Sequence, residues 1–401
     1  MKRSLLIILV LCGSIYAETI QRDRTALRQG PGAWHPMLFE LTKGSEVSVL
    51  RTEGNWVYVA VENEKGYISA KSLVGKSSAP DVFASMSNQK ASTRVSHSAI
   101  SAAVKGFADR FSRKLNLNPH STTFEGESQL SDQHYQVFAA NTISPKKLKK
   151  LNKQFKLKKL SKDKPFSFSE EGSGLAIAAK LKSAGLVSDP DLVAYVNNVG
   201  AFVAERSHGY DIHFTFYILD QDGVNGYACP GGIVFITRGA LELMRSEAEL
   251  ACFLGHEISH VVYRHGMKEM EERKEMIMAD NVFDEMNDEL DVSDETIQLS
   301  HELDDLALNA YETIFHGRLS NYEEEADEVG LLYAARAGYD PKAMISLLDR
   351  VGKSNSVAGA EHYSVSQNKL RIKRIKSYLK QKPFKGKQGL VLHEKRFMKH
   401  H

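Results

Sequence analysis

Residues 250–260 read Leu-Ala-Cys-Phe-Leu-Gly-His-Glu-Ile-Ser-His, and this stretch predicts a helix on which two histidines share a face. Ser246 followed by Glu249 has the pattern of a capping box, so the helix is expected to begin there. Its expected end is Gly266. Apolar residues recur at helical spacing and predict a face packed against a core: Leu250, Phe253, Leu254, Ile258, Val261 and Val262.

His256 and His260 are four residues apart, so their imidazoles project from one face of this helix, a turn apart. That geometry suits two ligands of a tetrahedral zinc ion. Glu257 follows the first of them, where its carboxylate can take a proton from a zinc-bound water. The alternative interpretation is two surface histidines and a solvated glutamate. The capped, amphipathic helix favours the zinc site.

A catalytic zinc needs a third protein ligand and an open position for water. Residues 320–327 read Ser-Asn-Tyr-Glu-Glu-Glu-Ala-Asp and are expected to open a helix that ends near Gly338. Glu323 and Asp327 share a face of it, so one can bind the metal while the other orients a ligand histidine. Glu324 is a competing ligand, and Ser320 with Glu323 also fits a simple capping box.

These motifs together resemble the HtpX/BepA and CAAX-prenyl-protease family of zinc metalloendopeptidases. The resemblance covers about 170–375 and rests on residues 256–266 (His-Glu-Ile-Ser-His-Val-Val-Tyr-Arg-His-Gly), Pro230-Gly231-Gly232, residues 323–327, Asp189-Pro190 with Tyr195-Val196, and residues 337–341. It implies an α+β fold, with a mainly helical zincin-type domain and a small sheet over residues 170–380. It also implies one Zn²⁺ held by His256, His260 and Glu323, with Glu257 as the catalytic base.

The chain departs from the pattern of this family at two places. Ser320 stands where an arginine often precedes the glutamate ligand, and Tyr363-Ser364-Val365-Ser366 stands where Thr-His-Pro often precedes the late Arg-Ile segment. A gating or metal-capping role for that late histidine therefore does not transfer. The oxyanion-stabilising group stays open among four residues near the motifs: His265, His316, Tyr339 and His362.

Two helices and two strands are predicted upstream of the metal helix. The helices cover Leu175–Ala184 and a stretch opened by Asp189-Pro190, and the strands cover Ile212–Leu219 and Ile233–Thr237. The second strand is expected to lead directly into the metal helix. A strand beside the metal can pair with an extended substrate, although an ordinary core strand has the same pattern. Asn225, Gly231 and Gly232, in the loop between the strands, are candidate substrate contacts.

The N-terminal part of the chain predicts a separate small all-β unit over residues 18–76. Short Val- and Tyr-rich runs alternate with Gly-Pro-Gly, Glu-Gly-Asn and Lys-Gly turns between Thr25 and Leu73. The pattern resembles a bacterial SH3 domain, a small barrel often associated with cell-wall peptides. It implies a cell-wall or envelope ligand, and the alternative is a folded spacer without one.

Residues 1–17 have the pattern of a secretory signal peptide: Lys2-Arg3, an apolar run from Leu5 to Leu11, and Ala17 before the expected cleavage. We therefore expect an exported, periplasmic or secreted protein with no transmembrane span after cleavage. Lipid attachment at Cys12 is the weaker alternative. Cys229 and Cys252 then remain, and two buried free thiols are favoured over a bridge.

The formal charge of the 401-residue chain is only +2, so no global field points to nucleic acid. Charge is concentrated locally. Residues 77–169 are expected to be a linker with a basic helical region, which includes a helix over 100–114 and ten lysines within residues 146–164. That run is either a solvated face or a contact for an anionic surface. Residues 381–401 are expected to form a basic tail.

Residues 267–319 form an insertion in the predicted metalloprotease domain with sixteen acidic and four basic residues. Apolar spacing within it predicts two amphipathic helices. Our hypothesis is that this acidic segment covers the cleft and that the lysine run docks on it. The sequence thus predicts a protease that acts on protein or peptide substrates. The alternative is a zinc-containing, chaperone-like or envelope-binding protein with latent or no proteolysis.

Overall fold

The computed structural model describes residues 16–74, 94–96, 108, 130–160, 165–268, 320–353, 365–381, 383–385 and 389–400. They fall into two compact units, Met1–Ile100 with Asp163–Pro165, and Ser101–Lys162 with Phe166–His401. The fold is α+β, as predicted. The expected helix at 100–114, apart from Ala108, and the acidic segment at 269–319 lie outside the described residues.

The first unit is an antiparallel sheet with the strand order β1-β4-β5-β6-β2-β3-β7. Its alternating apolar side chains form one core in which Leu27, Val59 and Ile68 are fully buried. Gly54 turns the chain between β4 and β5 at φ +62°, where a side chain would be strained. The strands are β1 Tyr16–Thr19, β2 Thr25–Arg28, β3 Met37–Leu41, β4 Glu46–Glu53, β5 Trp56–Val61, β6 Glu64–Ser69 and β7 Arg94–Ser96.

The sheet extends beyond both ends of the small all-β unit predicted over residues 18–76. Strand β7 lies inside the segment expected to be a linker, and it pairs Val95 with Glu40 of β3. At the other end, β1 pairs Tyr16 with Val49 and therefore begins before Glu18. A linker was expected because the segment is rich in small polar residues, but Arg94-Val95-Ser96 supplies a short extended run for the open edge of β3.

The second unit surrounds a three-stranded sheet with helices. The central strand β10 is parallel to β8 and antiparallel to β9. The strands are β8 Thr215–Leu219, β9 Gly226–Ala228 and β10 Ile233–Thr237. The described helices are α1 Asp132–Thr142, α2 Pro145–Gln154, α3 Phe168–Lys182, α4 Pro190–Ala204, α5 Arg238–Leu243, α6 Glu247–Val262, α7 Ser320–Arg336, α8 Ala343–Val351, α9 Val365–Tyr378 and α10 Glu394–His400. Among the described residues, no helix is long and apolar enough to cross a membrane.

Several helix limits depart from the sequence prediction for local reasons. Helix α3 begins at Phe168, before Leu175, because Ser167 and Glu170 form a reciprocal capping box. Strand β10 does not lead directly into the metal helix, since the short α5, capped by Thr237, intervenes.

Helix α6 begins after Ser246 as expected, but it ends at Val262 rather than at Gly266. The hydroxyl of Ser246 accepts from the Glu249 backbone, whereas the Glu249 carboxylate accepts from the Arg245 backbone N–H at 2.7 Å. The capping box is therefore only half formed. At the other end, Arg264 adopts φ +54°, a conformation that does not continue a right-handed helix.

Helices α6 and α7 cross in close contact at two glycines. A Cβ on Gly255 would lie 2.7 Å from the carbonyl oxygen of Gly330, and a Cβ on Gly330 would overlap the backbone of His256. Only residues without a side chain allow the two backbones to approach this closely. The contact brings Glu323, two turns before Gly330, up to the histidines of α6.

The segment expected to be a basic tail packs onto the domain in its described part. Val391 exchanges backbone hydrogen bonds with Gly338 and Asp340, and Leu392 accepts a hydrogen bond from the backbone N–H of Ala248 at 3.1 Å. Phe397 is only 1% exposed. Helix α2 covers the first part of the lysine run. Leu151 in this helix and Phe155 directly after it are buried, while most lysines of the helix are exposed. Exposed lysines fit both a solvated face and a contact with an anionic surface, so the role of the run stays a prediction.

Candidate metal centre

Three side chains converge between α6 and α7. His256 Nε2 and His260 Nε2 lie 3.0 Å apart, and the two carboxylate oxygens of Glu323 each lie 3.3 Å from one of these nitrogens. All three residues are buried. Of the described residues, this His-His-Glu group is the one whose ligand atoms lie close enough together to hold a metal ion.

The donor atoms of this group suit a bound cation. Glu323 Oε2 is buried and makes no hydrogen bond within the described part of the chain. Two ring nitrogens that face each other at 3.0 Å need either a shared proton or a cation between them. Two imidazoles and one carboxylate are also the ligand types of a catalytic zinc site, with a fourth position left for water. The residues present therefore fit a zinc ion.

His256 is held in place by Asp327 and Arg371. The Asp327 carboxylate lies 3.1 Å from His256 Nδ1, and it accepts two hydrogen bonds from Arg371, at 2.9 Å from Nε and 2.7 Å from Nη2. This fork fixes the carboxylate, which in turn fixes the imidazole with Nε2 turned towards Glu323. The sequence predicted the orienting carboxylate but not the arginine, although Arg371 begins the Arg-Ile segment noted above.

The charges around the three donors shift their pKa values. Burial disfavours the charged form of His256, but Glu323 and Asp327 outweigh it and raise its pKa to about 9. Burial also opposes ionisation of Glu323, yet His256 and His260 hold the pKa of that carboxyl well below its usual value. For Asp327 the Arg371 guanidinium overcomes the same burial and lowers the pKa. Without a metal, His256 is therefore cationic at neutral pH beside two ionised carboxylates.

Glu257 is buried next to His256 and lies against strand β9. A Cβ added at Gly226 of that strand would overlap Glu257 Oε1 and approach the Phe253 ring. The space occupied by the Glu257 carboxylate therefore exists because residue 226 has no side chain. The sequence prediction included Asn225 from this loop but not the adjacent Gly226.

The three candidate substrate contacts all take part in the local backbone structure. Asn225 and Thr237 are linked by hydrogen bonds through backbone and hydroxyl groups. Gly231 and Gly232 turn the chain from β9 into β10 at φ +89° and +110°. Because β10 is paired on both sides, its own backbone has no edge for a substrate. The role of these three residues stays a prediction.

The partners of Glu323, Glu324 and Glu325 show which of the three faces the histidines. Glu324 pairs with Arg374, and Glu325 lies 3.0 Å from His265 Nε2, so only Glu323 points towards both histidine ligands. Of the four oxyanion candidates, His316 and His362 lie outside the described residues. The hydroxyl of Tyr339 is engaged by Glu247 at 2.7 Å.

Cys229 and Cys252 are buried free thiols, as favoured from the sequence. The Cys252 sulfur points at the backbone oxygen of Asp340, 3.8 Å away. Burial, followed by the charge of Asp340, raises the pKa of this thiol. Cys252 is thus a core residue and not a metal ligand.

Two regions of the chain match known protein families. Residues 190–380 match the peptidase family M48, and residues 23–74 match the bacterial SH3 domain. The chain carries an M48 peptidase domain and a bacterial SH3 domain. The sequence-based recognition of both is therefore confirmed.

Several curated proteins resemble the M48 region. The beta-barrel assembly-enhancing protease of Yersinia pestis is 31% identical over 169 residues, which cover 42% of this chain and 34% of that protein. The protein of the same name from Escherichia coli K12 is 28% identical over the same coverage. The mitochondrial metalloendopeptidase OMA1 of Schizosaccharomyces pombe is 26% identical over 203 residues, 50% of this chain and 57% of that protein. The chain therefore spans about a third of the length of the first two relatives.

Proposed function

We propose that this protein is a zinc-dependent metalloendopeptidase that hydrolyses peptide bonds in protein substrates. The observation that carries the proposal is the convergence of His256, His260 and Glu323 in a buried site, with Glu257 on the same helix as the two histidines. The M48 match over residues 190–380 supports the same reaction class.

Each residue of the site has a role in this proposal. His256, His260 and Glu323 would hold the zinc, which when bound polarises the substrate carbonyl and lowers the pKa of water towards about 7. Glu257 accepts a proton from the attacking water as its oxygen adds to the carbonyl carbon. The carbon–nitrogen bond then breaks, and Glu257 returns the proton to the leaving amine. Asp327 and Arg371 keep His256 aligned throughout.

The N-terminal segment and the SH3 domain indicate where the enzyme would act. The pattern of residues 1–17 supports export to the periplasm or the medium, where misfolded or envelope proteins would be the substrates. The SH3 domain over residues 23–74 would recruit the enzyme to a cell-wall or envelope ligand.

The deciding experiment compares the wild-type chain with Glu257→Gln and the matched control Glu324→Gln on an unfolded protein substrate, with zinc content measured for all three. Loss of a general acid–base group lowers turnover by about 100- to 10,000-fold. We expect that loss for Glu257→Gln at unchanged zinc content, and wild-type activity for Glu324→Gln.

The second candidate function is client binding without cleavage. It is favoured only if the wild type holds one zinc, binds the unfolded substrate and does not cut it under any condition in which zinc is retained. Substantial turnover by Glu257→Gln would instead contradict the role of Glu257 in the protease mechanism.

A further inference from the structure

We propose that His265 and Glu325 form a positioning relay that orients the metal ligand His260, a role that no motif of the sequence indicated. This inference rests on the proposed zinc site. It concerns the side of the His260 ring that faces away from the metal position. It also gives a role to His265, a third buried histidine that the proposed reaction does not use.

The relay is a continuous chain of close contacts. His265 Nδ1 lies 2.9 Å from His260 Nδ1, and His265 Nε2 lies 3.0 Å from Glu325 Oε2. His265 has no exposed surface, whereas the Glu325 side chain is 42% exposed. The relay thus runs from the buried ligand to a carboxylate at the surface of the domain.

The end of helix α6 creates this arrangement. The helix stops at Val262, and Arg264 adopts φ +54°, which breaks the helical path before His265. The rings of His260 and His265 lie with their centroids 5.0 Å apart. The His265 ring then stacks on Tyr322 of helix α7, with ring centroids 4.8 Å apart and planes at 30°. Packing on both sides leaves the ring little freedom to rotate.

The directions of the hydrogen bonds follow from the metal-facing nitrogen. When His260 Nε2 presents its lone pair to a cation, the neutral ring carries its proton on Nδ1 and donates it to His265 Nδ1. His265 then carries its own proton on Nε2 and donates it to Glu325. Each ring nitrogen along the chain has one defined role, so a single tautomer of His260 is selected.

The two ligand histidines are therefore oriented by different devices. His256 uses a direct carboxylate, Asp327, held by Arg371, whereas His260 reaches its carboxylate through the intervening ring of His265. Partners of this kind, next to metal ligands, commonly change metal affinity by about 10- to 100-fold when they are removed. The contact on Nδ1 also places His265 on the side of His260 remote from Nε2, which argues against its role as an oxyanion stabiliser.

The test compares His265→Leu, which cannot accept a hydrogen bond, with His265→Asn, whose amide oxygen can replace the accepting Nδ1. Zinc affinity is measured by competition with a chromophoric chelator, and Co²⁺ absorption spectra report the ligand geometry. We expect His265→Leu to weaken zinc binding by about 10- to 100-fold and His265→Asn to recover most of that loss. Equal affinities for the wild type and His265→Leu would overturn the relay, as would equal losses in both variants.

A second pair of variants avoids the buried ring, whose replacement could impair folding. Glu325→Gln should weaken zinc binding and shift the Co²⁺ spectrum, whereas Glu324→Gln, which lies next to it but pairs with Arg374, should do neither. Identical behaviour of the two would contradict the relay. Its failure is distinguishable from failure of the proposed function, because a wild type that binds zinc and cleaves substrate retains that function whatever these variants show.

Discussion

Arg396 in the last helix is paired with Glu247, a residue with no exposed surface in the first turn of the helix that carries both histidine ligands. The Glu247 carboxylate also accepts hydrogen bonds from the hydroxyls of Tyr195 and Tyr339, each at 2.7 Å. Four segments distant in sequence therefore meet at one buried charge. The C-terminal helix is part of what holds the beginning of α6 in place.

The first prediction concerns this ion pair. Arg396→Met retains the apolar stem but leaves the buried Glu247 charge without its cation, and the loss of one partner of a buried pair typically costs about 3–5 kcal/mol. Because the Arg396 side chain is 19% exposed, we expect a value near the lower limit. Urea unfolding should show the loss, while Lys399→Met on the exposed face of the same helix should change stability little. Equal stability of the two variants would contradict the structural role of the pair.

The second prediction concerns the crossing of α6 and α7. Alanine normally stabilises a helix relative to glycine by about 1 kcal/mol, so Gly330→Ala would be favourable if the position were open. Here the new methyl group would overlap the backbone of His256. We therefore expect destabilisation by about 1–3 kcal/mol, together with weaker zinc binding, measured by thermal unfolding and chelator competition. Glu328→Ala on the exposed side of α7 is the control, and a more stable Gly330→Ala would refute the close contact.

The candidate metal site was predictable from the sequence because its three residues lie at fixed offsets on two helices. The offset of four from His256 to His260, and from Glu323 to Asp327, assigns each pair to one helix face. The choice between Glu323 and Glu324, however, needed the rotation of α7 about its axis. The packing at Gly255 and Gly330, together with the contacts of Asp327 to Arg371 and of Glu324 to Arg374, fixes that rotation. A sequence shows helical periodicity but not how a helix is turned towards its neighbours.

The groups that orient the ligands were less predictable. Arg371 lies 44 residues after Asp327, and His265 lies beyond the end of the helix that carries His260. Arginine rarely adopts a positive φ, and nothing in the sequence predicts one at Arg264. The position of His265 beside His260 could therefore not be predicted. The pairing of Arg396 with Glu247 was not predictable either. An acidic residue in the first turn of a helix is common, and its sequence position does not identify a partner in a distant helix.

The third prediction concerns the two cysteines. Because both thiols are buried and burial raises the pKa of Cys252, neither should react with a thiol reagent in the native protein. In a variant that lacks residues 1–17, and with them Cys12, titration with a chromogenic disulfide should give two thiols only after denaturation. The unfolding midpoint of this variant should be the same with and without reductant. Rapid native labelling, or a reductant-dependent midpoint, would indicate exposure or a bridge.

The last prediction concerns the proton released when zinc binds. In the metal-free protein, Glu323 and Asp327 raise the pKa of His256 to about 9, so this imidazole is cationic at pH 7.5, whereas Glu323 is already ionised. A ligand nitrogen must be neutral, and binding therefore displaces the His256 proton. The contribution of His256 to the apparent zinc affinity should rise with pH up to about 9 and level off above it.

Titration calorimetry in two buffers with different ionisation enthalpies measures this release directly. At pH 7.5 His256 should contribute about one proton per zinc to the difference in observed heat, in addition to the proton that the zinc-bound water releases. Asp327→Asn removes one of the charges that raise the pKa of His256, so at the same pH it should release a smaller fraction of a proton. It should also bind zinc more weakly, because the imidazole loses its orienting carboxylate. A wild-type release that the zinc-bound water alone accounts for would mean that His256 is neutral before the metal arrives, and that the two carboxylates do not outweigh its burial.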